Sequence, residues 1–372
     1  MYLSITMNWY RQIHKLQVDI TSHCNARCGA CIRNINGGAT HPGLKLTHFD
    51  VDVWKRMATE DTRGWWVRQL TLNGNWGDPM MHPHLVEMLE IWITAHPETF
   101  ISIATNGSMR STKFWSDLAT VLRKGSHHKV DFAVDGMEDT HHIYRRKTVF
   151  SKLKENIKAF TDAKGQAIAV MTMFEHNKHQ IEEVKELARE LGCKHFIARR
   201  SHSDHMLIED GNEQYEIKGW YPTGNGEHVI DNETPELEQD FPENEHPLSV
   251  NRDRIWMRAN ERFEELNDNH IPSKCPWKDE GEVQIDPWGV VWPCCHVSLY
   301  GGSGASKNMS IRLNFNEEAE QTNFIEEGKE SNSLHNRSLK DILNNQWYND
   351  TLNHAIKNAD YGVCRRSCGI CK

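Results

Sequence analysis

Short apolar or β-branched runs alternate with amphipathic segments between about Leu16 and Arg200. Apolar residues at helical spacing predict helices such as those over 82–96 and 179–193. Repeated strand–helix alternation is typical of βαβ units and a parallel sheet. Six units are too few for a closed eight-unit barrel, which leaves a partial, open (β/α)6 TIM-like barrel or a doubly wound sheet, and either places chemistry at the carboxyl ends of the strands. The predicted strands are 16–21, 68–73, 100–105, 129–134, 167–173 and 195–199.

The hydrophobic pattern changes twice after this α/β region. An acidic stretch rich in Gly, Pro and Asn follows, with little periodicity, and we interpret it as a linker or a lid insertion. Further on, two short strands flank a Pro-Trp-Gly turn, which predicts a hairpin in a small C-terminal α+β domain, and one helix is predicted over 338–359. The predicted divisions are an N-terminal arm at 1–12, the barrel at 13–205, the insertion at 206–268 and the C-terminal domain at 269–372.

Composition narrows the class of protein. The 372 residues are 38% hydrophobic and 26% charged, as in a globular chain, and the net charge of −9 without a Lys/Arg block argues against a nucleic-acid partner. The N-terminus has no secretory pattern and no apolar run is long enough for a bilayer, so we expect a cytoplasmic protein without a membrane partner. Ten cysteines grouped at short spacings favour metal or cluster ligation over disulfides.

Three of these cysteines, Cys24, Cys28 and Cys31, follow directly after the first predicted strand in the run "CNARCGAC". Gly29 permits the tight loop that would let their thiolates converge on a soft metal centre. Zinc would need a fourth protein ligand, which a histidine could supply. An iron–sulfur cube held by three cysteines would keep one iron open for a cofactor.

The C-x3-C-x2-C spacing resembles the signature of the radical S-adenosylmethionine (SAM) superfamily. That resemblance implies a [4Fe–4S] cluster on Cys24, Cys28 and Cys31, whose fourth iron is chelated by the amino and carboxylate groups of SAM. Ala30 stands where the family often has an aromatic residue.

Four further segments resemble parts of the family's cofactor site. Gly77, Asp78 and Pro79 are similar to its Gly-Gly-Glu-Pro segment, which binds the SAM amino group, although they could be an ordinary turn. Asn106, in "TNG" after the third strand, is similar to a residue near the ribose or methionine part, with a strand-ending turn as the alternative.

After the fourth strand, Asp135 and Arg145 match the family's Asp-Gly and Tyr-Arg patterns. The resemblance implies that Asp135 binds ribose hydroxyls and that Arg145 binds the methionine carboxylate, while a plain ion pair is the alternative. Ala133 replaces a hydroxyl residue found in some members. Glu175, His176 and His179 after the fifth strand could touch substrate or be solvated caps, and the catalytic residues are otherwise unknown.

The C-terminal cysteines resemble the family's SPASM or shorter twitch extension. Too few are present for two auxiliary clusters, so the resemblance implies one auxiliary [4Fe–4S] cluster of the twitch type, with a zinc ribbon as the alternative. Cys295 is predicted to be a spectator and Cys193 a buried apolar residue. The candidate ligands are Cys275, Cys294, Cys364, Cys368 and Cys371, with Cys275, Cys294, Cys368 and Cys371 preferred.

The function that the resemblance implies is reductive cleavage of SAM to a 5′-deoxyadenosyl radical, which takes hydrogen from a substrate. An electron donor such as flavodoxin or ferredoxin would then be a partner. A peptide or protein side chain is the favoured substrate, and a small metabolite or sugar is the alternative. A two-cluster electron-transfer protein and a zinc-stabilised binding module are rival classes of function.

Overall fold

Parallel strands form the framework of the molecule, in a computed structural model that describes residues 9–201, 205–220, 229–230, 275–301 and 318–358. Nine strands make one sheet in the order β11-β10-β1-β2-β3-β4-β5-β6-β9, and β7 pairs with β8 apart from it. The strands are β1 Lys15–Val18, β2 Gln69–Leu72, β3 Phe100–Thr105, β4 His127–Ala133, β5 Ala167–Met173, β6 His195–Arg200, β7 His205–Asp210, β8 Glu213–Lys218, β9 Val229–Ile230, β10 Glu282–Ile285 and β11 Val291–Trp292.

Strands β1 to β6 lie side by side in chain order, and each pair of neighbours is parallel. A doubly wound sheet would reverse its order at a switch point, and this sheet does not. The partial, open TIM-like barrel is therefore confirmed as the fold. Within the described residues the sheet does not close, because antiparallel strands β9 and β11 border its two ends.

Predicted strand bounds agree with the structure to within three residues. The largest difference is at β1, predicted to reach residue 21 but ending at Val18. Beyond it the chain turns to the segment around Thr47: Ser22 N donates to the Thr47 carbonyl at 3.0 Å, and Phe49 N donates to the Ile20 carbonyl at 2.8 Å. This local partner replaces the sheet and releases the chain into the cysteine loop.

Helices cover one face of the sheet, and several begin at a side chain that accepts a backbone N–H. Asp50 caps α2, Ser111 caps α4 and Ser338 caps α11. Short π-helical turns follow α2 and precede α12, at Met57–Asp61 and Trp347–Thr351, and 3-10 turns lie at Pro79–Met81 and Lys178–Gln180. The helices are α1 Trp9–Gln12, α2 Val51–Arg56, α3 Leu85–Ala95, α4 Thr112–Leu122, α5 His141–Tyr144, α6 Phe150–Asp162, α7 Ile181–Glu190, α8 Pro276–Asp279, α9 Cys295–Gly301, α10 Glu318–Ser331, α11 Leu339–Leu343 and α12 Leu352–Asn358.

The single helix predicted over 338–359 is wrong, because α11 and α12 are separate. Asn345 lies at the break. Its side-chain amide donates to the Ser331 carbonyl at 3.1 Å and to Asn332 Oδ1 at 2.8 Å, and its own Oδ1 accepts Tyr348 N at 2.9 Å. These bonds offer the backbone an alternative to the helical ladder.

Side chains alternate between the two faces of the barrel strands. On β4, Val130 and Phe132 are fully buried in the core shared with the helices. Lys129 and Asp131 point to the other face, where they form an ion pair at 3.5 Å. The inner face of the open barrel is therefore polar at this strand.

The predicted C-terminal hairpin is confirmed, and it is part of the barrel sheet. β10 and β11 are antiparallel, and β10 also pairs in parallel with β1 from Lys15↔Glu282 to Val18↔Ile285. Trp277, Trp292 and Trp347 belong to the same buried core as Leu16. The domain boundaries stay a prediction, but the C-terminal segment is continuous with the barrel through this strand.

The acidic insertion begins with a hairpin, β7–β8, that the sequence analysis did not predict. Residues 221–228 and 231–274, the greater part of the insertion, lie outside the described residues. Within the described ranges, none of the helices has both the length and the apolar character that crossing a bilayer would take.

Candidate functional site

Cys24, Cys28 and Cys31 lie in one loop at the carboxyl end of β1. Cys28 is buried and the other two are partly buried. Residues 28–34 fold into successive turns, in which Cys31 N donates to the Cys28 carbonyl at 3.2 Å and Asn34 N to the Cys31 carbonyl at 3.0 Å. The three thiols that the spacing singled out are thus presented by one compact loop.

Polar groups from three directions reach this loop's sulfurs. Ala26 N donates to Cys24 Sγ at 3.4 Å, Asn106 Nδ2 lies 3.9 Å from the same sulfur, and Arg145 Nη1 donates to Cys28 Sγ at 3.5 Å. N–H donors directed at sulfur are the contacts by which proteins tune thiolate-bound clusters. These donors therefore offset part of the cost of placing negative charge on the sulfurs.

Burial dominates the electrostatics of the thiols. Burial raises the pKa of Cys24 far above its usual range, and the negative charge of Asp78 and the neighbouring thiols raise this pKa further. It likewise raises the pKa of Cys28 to about 11, against the effect of Arg145. Buried thiols such as Cys24 and Cys28 need a compensating cation to carry negative charge, and a soft cluster iron would supply it. Within the described ranges, no three His, Cys, Asp or Glu side chains are placed to hold a metal ion.

Arg33 fixes the entry to the loop. Its buried guanidinium donates to the Ser22 carbonyl through Nε at 3.1 Å and Nη2 at 2.7 Å. Ser22 Oγ in turn accepts Thr47 N at 2.7 Å. The sequence analysis missed Arg33. Its position two residues after the third cysteine was the only feature of the sequence that pointed to it.

The Gly77-Asp78-Pro79 segment packs directly on the same loop. A Cβ at position 77 would stand 2.4 Å from the Thr21 carbonyl oxygen and 2.5 Å from that of His23, so only glycine fits. Asp78 N donates to the His23 carbonyl at 2.9 Å. The structure therefore brings this segment against the cysteine loop.

The Asp78 carboxylate is occupied by the protein itself. It accepts Asn106 N at 2.8 Å, Asn106 Nδ2 at 2.6 Å, Thr105 Oγ1 at 2.9 Å and Met80 N at 3.0 Å. Burial raises the pKa of Asp78, although these hydrogen bonds oppose the rise. Asp78 thus ties the end of β3 to the loop after β2, while its contact with an ammonium group stays a prediction.

Asn106 extends this network behind Cys24. Its Nδ2 donates to Asn25 Oδ1 at 2.9 Å, and its Oδ1 accepts Ser108 Oγ at 2.9 Å. Asn25 Nδ2 completes the ring by donating to Ser108 Oγ at 3.0 Å. Asn25 and Ser108 were missed by the sequence analysis, because no pattern marks a polar residue that acts through another loop.

Asp135, which is fully buried, and Arg145, which is partly buried, form an ion pair at the end of β4. Arg145 Nε donates to Asp135 Oδ2, and Thr172 N donates to Asp135 Oδ1. Burial opposes the Arg145 charge, but Asp135 and Cys28 hold the pKa of Arg145 well above its usual range. The ion-pair alternative therefore describes their contact, and Arg145 bridges this pair to the cysteine loop. Their contacts with SAM stay a prediction.

The residues after β5 divide between surface and interior. Glu175 and His179 are exposed, whereas His176 stacks on Phe174 with ring centroids 5.2 Å apart. Asn177, which sequence reasoning missed, is fully buried and donates to the Asp135 carbonyl at 3.1 Å. Only His176 of the three predicted residues therefore lies towards the site.

The auxiliary cysteines are described only in part. Cys294 is buried, Cys275 and Cys295 are partly buried, and burial raises the pKa of Cys275. Trp277 and His296, each two residues after a candidate ligand, touch edge to face with ring centroids 5.1 Å apart, which brings the two segments together. Cys193 packs partly buried against the core. Cys364, Cys368 and Cys371 lie outside the described residues.

A comparison with known protein families finds a match to the part of the chain that forms the barrel and the cysteine loop. Residues 18–188 match the family model described as the radical SAM superfamily. These residues form a radical SAM domain. The matched range contains the cysteine loop, the Gly77-Asp78-Pro79 segment, and the Asp135–Arg145 pair. Membership of this superfamily implies SAM and a [4Fe–4S] cluster as cofactors, while the ligation of that cluster by Cys24, Cys28 and Cys31 stays a prediction.

Curated relatives of the radical SAM domain are distant. A probable GTP 3′,8-cyclase of Methanothermobacter marburgensis is 24% identical over 211 residues, which are 56% of this chain and 64% of that protein. A GTP 3′,8-cyclase of Desulforamulus reducens is 23% identical over 190 residues, 50% of this chain and 54% of that protein. The chain thus spans between half and two thirds of the length of these relatives.

Solved structures are similar over nearly the whole chain. Streptococcus suis SuiB bound to S-adenosylmethionine has a TM-score of 0.52 at 13% identity, covering 96% of this chain and 73% of SuiB. SuiB bound to the precursor peptide SuiA has a TM-score of 0.51 at 12% identity, covering 93% and 66%. Native anSMEcpe with bound AdoMet has a TM-score of 0.50 at 12% identity, covering 95% and 89%. These similarities show the radical SAM fold.

Proposed function

We propose that this protein is a radical SAM enzyme that acts on a peptide or a protein side chain. The observation that carries the proposal is that the Asp78 network and the Asp135–Arg145 pair both contact the loop that carries Cys24, Cys28 and Cys31, within the radical SAM domain. A carrier of electrons would need the thiols but not the surrounding polar network. A site that binds a cofactor with amino and carboxylate groups requires such a polar network.

Each part of the site has a role in this proposal. Cys24, Cys28 and Cys31 would hold a [4Fe–4S] cluster, which when bound supplies the electron that splits SAM into methionine and a 5′-deoxyadenosyl radical. Backbone groups of Gly77 and Asp78 would bind the SAM ammonium group, because the Asp78 carboxylate is already saturated.

Arg145 is the cationic group nearest to the thiols that could pair with the SAM carboxylate. Its Nη1 lies on Cys28 Sγ, and Asp135 keeps the guanidinium charged and oriented through Nε. Asp135 would meet the ribose hydroxyls only through its remaining acceptor capacity. The barrel wall and the loops would exclude water from the reacting atoms.

We further propose one auxiliary [4Fe–4S] cluster of the twitch type, on Cys275, Cys294, Cys368 and Cys371. The ring contact between Trp277 and His296 supports it, since it holds the Cys275 and Cys294 segments together at the barrel edge. Cys364 would be the surplus ligand and Cys295 a spectator. A flavodoxin or ferredoxin is the proposed electron donor.

The peptide preference follows the similarity to SuiB, which one of the solved structures shows bound to its precursor peptide. A nucleotide substrate is the second candidate, because the curated relatives are GTP 3′,8-cyclases. Incubation with GTP separates the two: consumption of GTP with formation of a cyclised nucleotide would favour the second candidate over a peptide.

Anaerobic reconstitution of the full chain tests the class of function. We expect about eight irons per chain, in keeping with two four-iron clusters, and 5′-deoxyadenosine whose formation requires dithionite. Cys28→Ser should abolish the nucleoside, whereas Cys193→Ser, a matched thiol outside the loop, should not. Clusters without nucleoside would instead indicate an electron carrier, and zinc without sulfide would indicate a binding module.

A further inference from the structure

Two consecutive arginines point to opposite sides of the chain after α5. Arg145 faces the cysteine loop and Asp135, as described above. Arg146 is buried and points away from Asp135. Its Nε donates to the Gly37 carbonyl at 3.1 Å, its Nη1 to Tyr215 Oη at 2.9 Å and its Nη2 to Asp210 Oδ2 at 2.8 Å. One guanidinium thus joins the cysteine loop to both strands of the β7–β8 hairpin.

The inner face of this hairpin is apolar and packs on the cysteine loop. Met206, Ile208 and Ile217 are buried with Phe174, and Ala30 packs against this cluster. Along β7 the side chains alternate, so that Leu207 is 45% exposed while Ile208 is fully buried. The hairpin therefore presents one face to the loop and the other to solvent.

The contact is close at two glycines of the loop. A Cβ at position 29 would lie 2.6 Å from Ile208 Cδ1, and one at position 37 would lie 2.9 Å from the same atom. Gly37 also has a φ of +71°, a conformation that favours glycine. Gly29 lies in a turn, as expected, and its lack of a side chain also leaves room for Ile208 Cδ1.

Backbone and ionic contacts complete the attachment. Glu209 N donates to the Asn36 carbonyl at 2.8 Å, and Asn36 Nδ2 donates to Glu209 Oε2 at 2.6 Å. Arg27 Nη1 lies 3.6 Å from Asp210 Oδ1, and the backbone N of Arg27 donates to the Arg146 carbonyl at 2.9 Å. The loop is thus held at both ends of residues 27–37.

From these contacts we infer that the β7–β8 hairpin is a clamp that positions the cysteine loop and shields its outer side from solvent and oxygen. Arg146 is its positioning residue and Ile208 its apolar anchor. The loop from 24 to 38 has no regular secondary structure, so contacts from outside must fix the separation of its sulfurs. Ala30, immediately before the third cysteine, packs against the apolar cluster of the hairpin.

The inference rests on the proposed function only in that the loop holds a cluster, and its first test does not need one. Amide hydrogen exchange is measured on the full chain for Arg146→Ala and Ile208→Ala. We expect exchange across residues 24–38 to rise by about tenfold or more, the equivalent of one hydrogen bond to a charged group, while β3 and β4 stay protected. Leu207→Ala, on the same strand but facing solvent, is the matched control and should match the wild type.

The second readout is the stability of the reconstituted cluster in air. Its visible absorption should bleach several-fold faster in Arg146→Ala and Ile208→Ala than in the wild type and Leu207→Ala, and Arg146→Lys should recover part of the difference by restoring the charge. Unchanged exchange in residues 24–38, or equal acceleration of the loop and of β3, would overturn the clamp. Failure of the wild type to form 5′-deoxyadenosine would count against the proposed function alone.

Discussion

At the scale of single residues, the site is organised by buried polar side chains that act through one another. Asp78 is the clearest case, because its carboxylate accepts hydrogen bonds from four donor groups on three residues and is almost completely buried. The anion joins the loop after β2 to the end of β3, and through Asn106 to the region of Cys24. Its charge is therefore structural in the first place.

Asp78→Asn should lower the free energy of unfolding by about 2–3 kcal/mol, because one amide cannot accept from all the donors that face the carboxylate and its NH2 opposes them. The same substitution should also weaken SAM binding, because it should shift the backbone of Gly77 and Asp78. Chemical denaturation and equilibrium SAM binding measure the two effects.

The matched control for Asp78→Asn is Asp117→Asn, which removes an exposed pair with Lys113 on α4. That change should cost about 0.5 kcal/mol or less. Equal losses in the two variants would contradict the structural role of Asp78.

A second carboxyl, Asp19, predicts how stability depends on pH. It lies between β1 and β10, where it accepts Asn75 N at 2.9 Å and Gln284 Nε2 at 2.7 Å, and burial raises the pKa of Asp19 to about 7. The folded protein therefore keeps a proton that the unfolded chain loses near its ordinary pKa of about 4. The stability that this proton contributes is full below that pH and is lost as pH rises towards 7.

Asp19→Asn should remove this part of the pH dependence. The difference in unfolding free energy between wild type and variant should move in favour of the variant as pH rises from about 4 to about 7. Denaturation at a series of pH values measures it, with Asp117→Asn again as the exposed control. A difference that stays constant with pH would show that Asp19 is ionised throughout.

At this scale, sequence reasoning anticipated which residues lie together only where a motif has a fixed spacing. Asp78 and Asn106 contact each other, and Asn106 reaches Cys24, as neighbours in one site, while their binding of a cluster and its cofactor stays a prediction. Arg33, Asn25 and Arg146 were missed because each acts on a backbone or side chain distant in sequence, and nothing in the chain marks that partner. The same limit applies to Asp135 and Arg145, whose pairing with each other is a property of the fold.

At the scale of elements, the predicted strand bounds agreed with the structure because each barrel strand is a short, strongly apolar run of residues. β3 and β5 have the predicted bounds to the residue. The β7–β8 hairpin did carry a signal, since alternating apolar residues flank the turn residues Asp210-Gly211-Asn212. Its acidic outer positions hid that alternation. The break between α11 and α12 was missed because the interactions of Asn345 are tertiary.

The break predicts a specific sensitivity at Asn345. Asn345→Ala should lower the free energy of unfolding by about 1–3 kcal/mol, because the Ser331 carbonyl, Asn332 Oδ1 and Tyr348 N all lose their partner. The neighbouring Asn344→Ala is the control, since Asn344 is exposed and its side chain bonds only within α11. Thermal unfolding compares them, and similar losses would mean that the break is set elsewhere.

At the scale of the whole molecule, the C-terminal segment and the barrel share a sheet and a core. The sequence predicted a separate small domain because cysteine spacing and the acidic insertion divide the chain there. Neither pattern contains the parallel pairing of β10 with β1, which joins residues more than 260 positions apart in sequence. Long-range register of this kind is what a single sequence does not reveal.

This shared core predicts one cooperative unfolding transition across barrel and C-terminal segment. Ile342 on α11 is completely buried in the core that also contains Leu16 and Leu70, so Ile342→Ala should cost about 2–5 kcal/mol. Because the core is continuous, hydrogen exchange in urea should report the same shift of midpoint at β3 in the barrel and at β10. Asp350→Asn, an exposed change in the neighbouring turn, should shift neither midpoint. A loss confined to β10 would mean that the two parts unfold independently and that the pairing with β1 contributes little to the stability of the barrel.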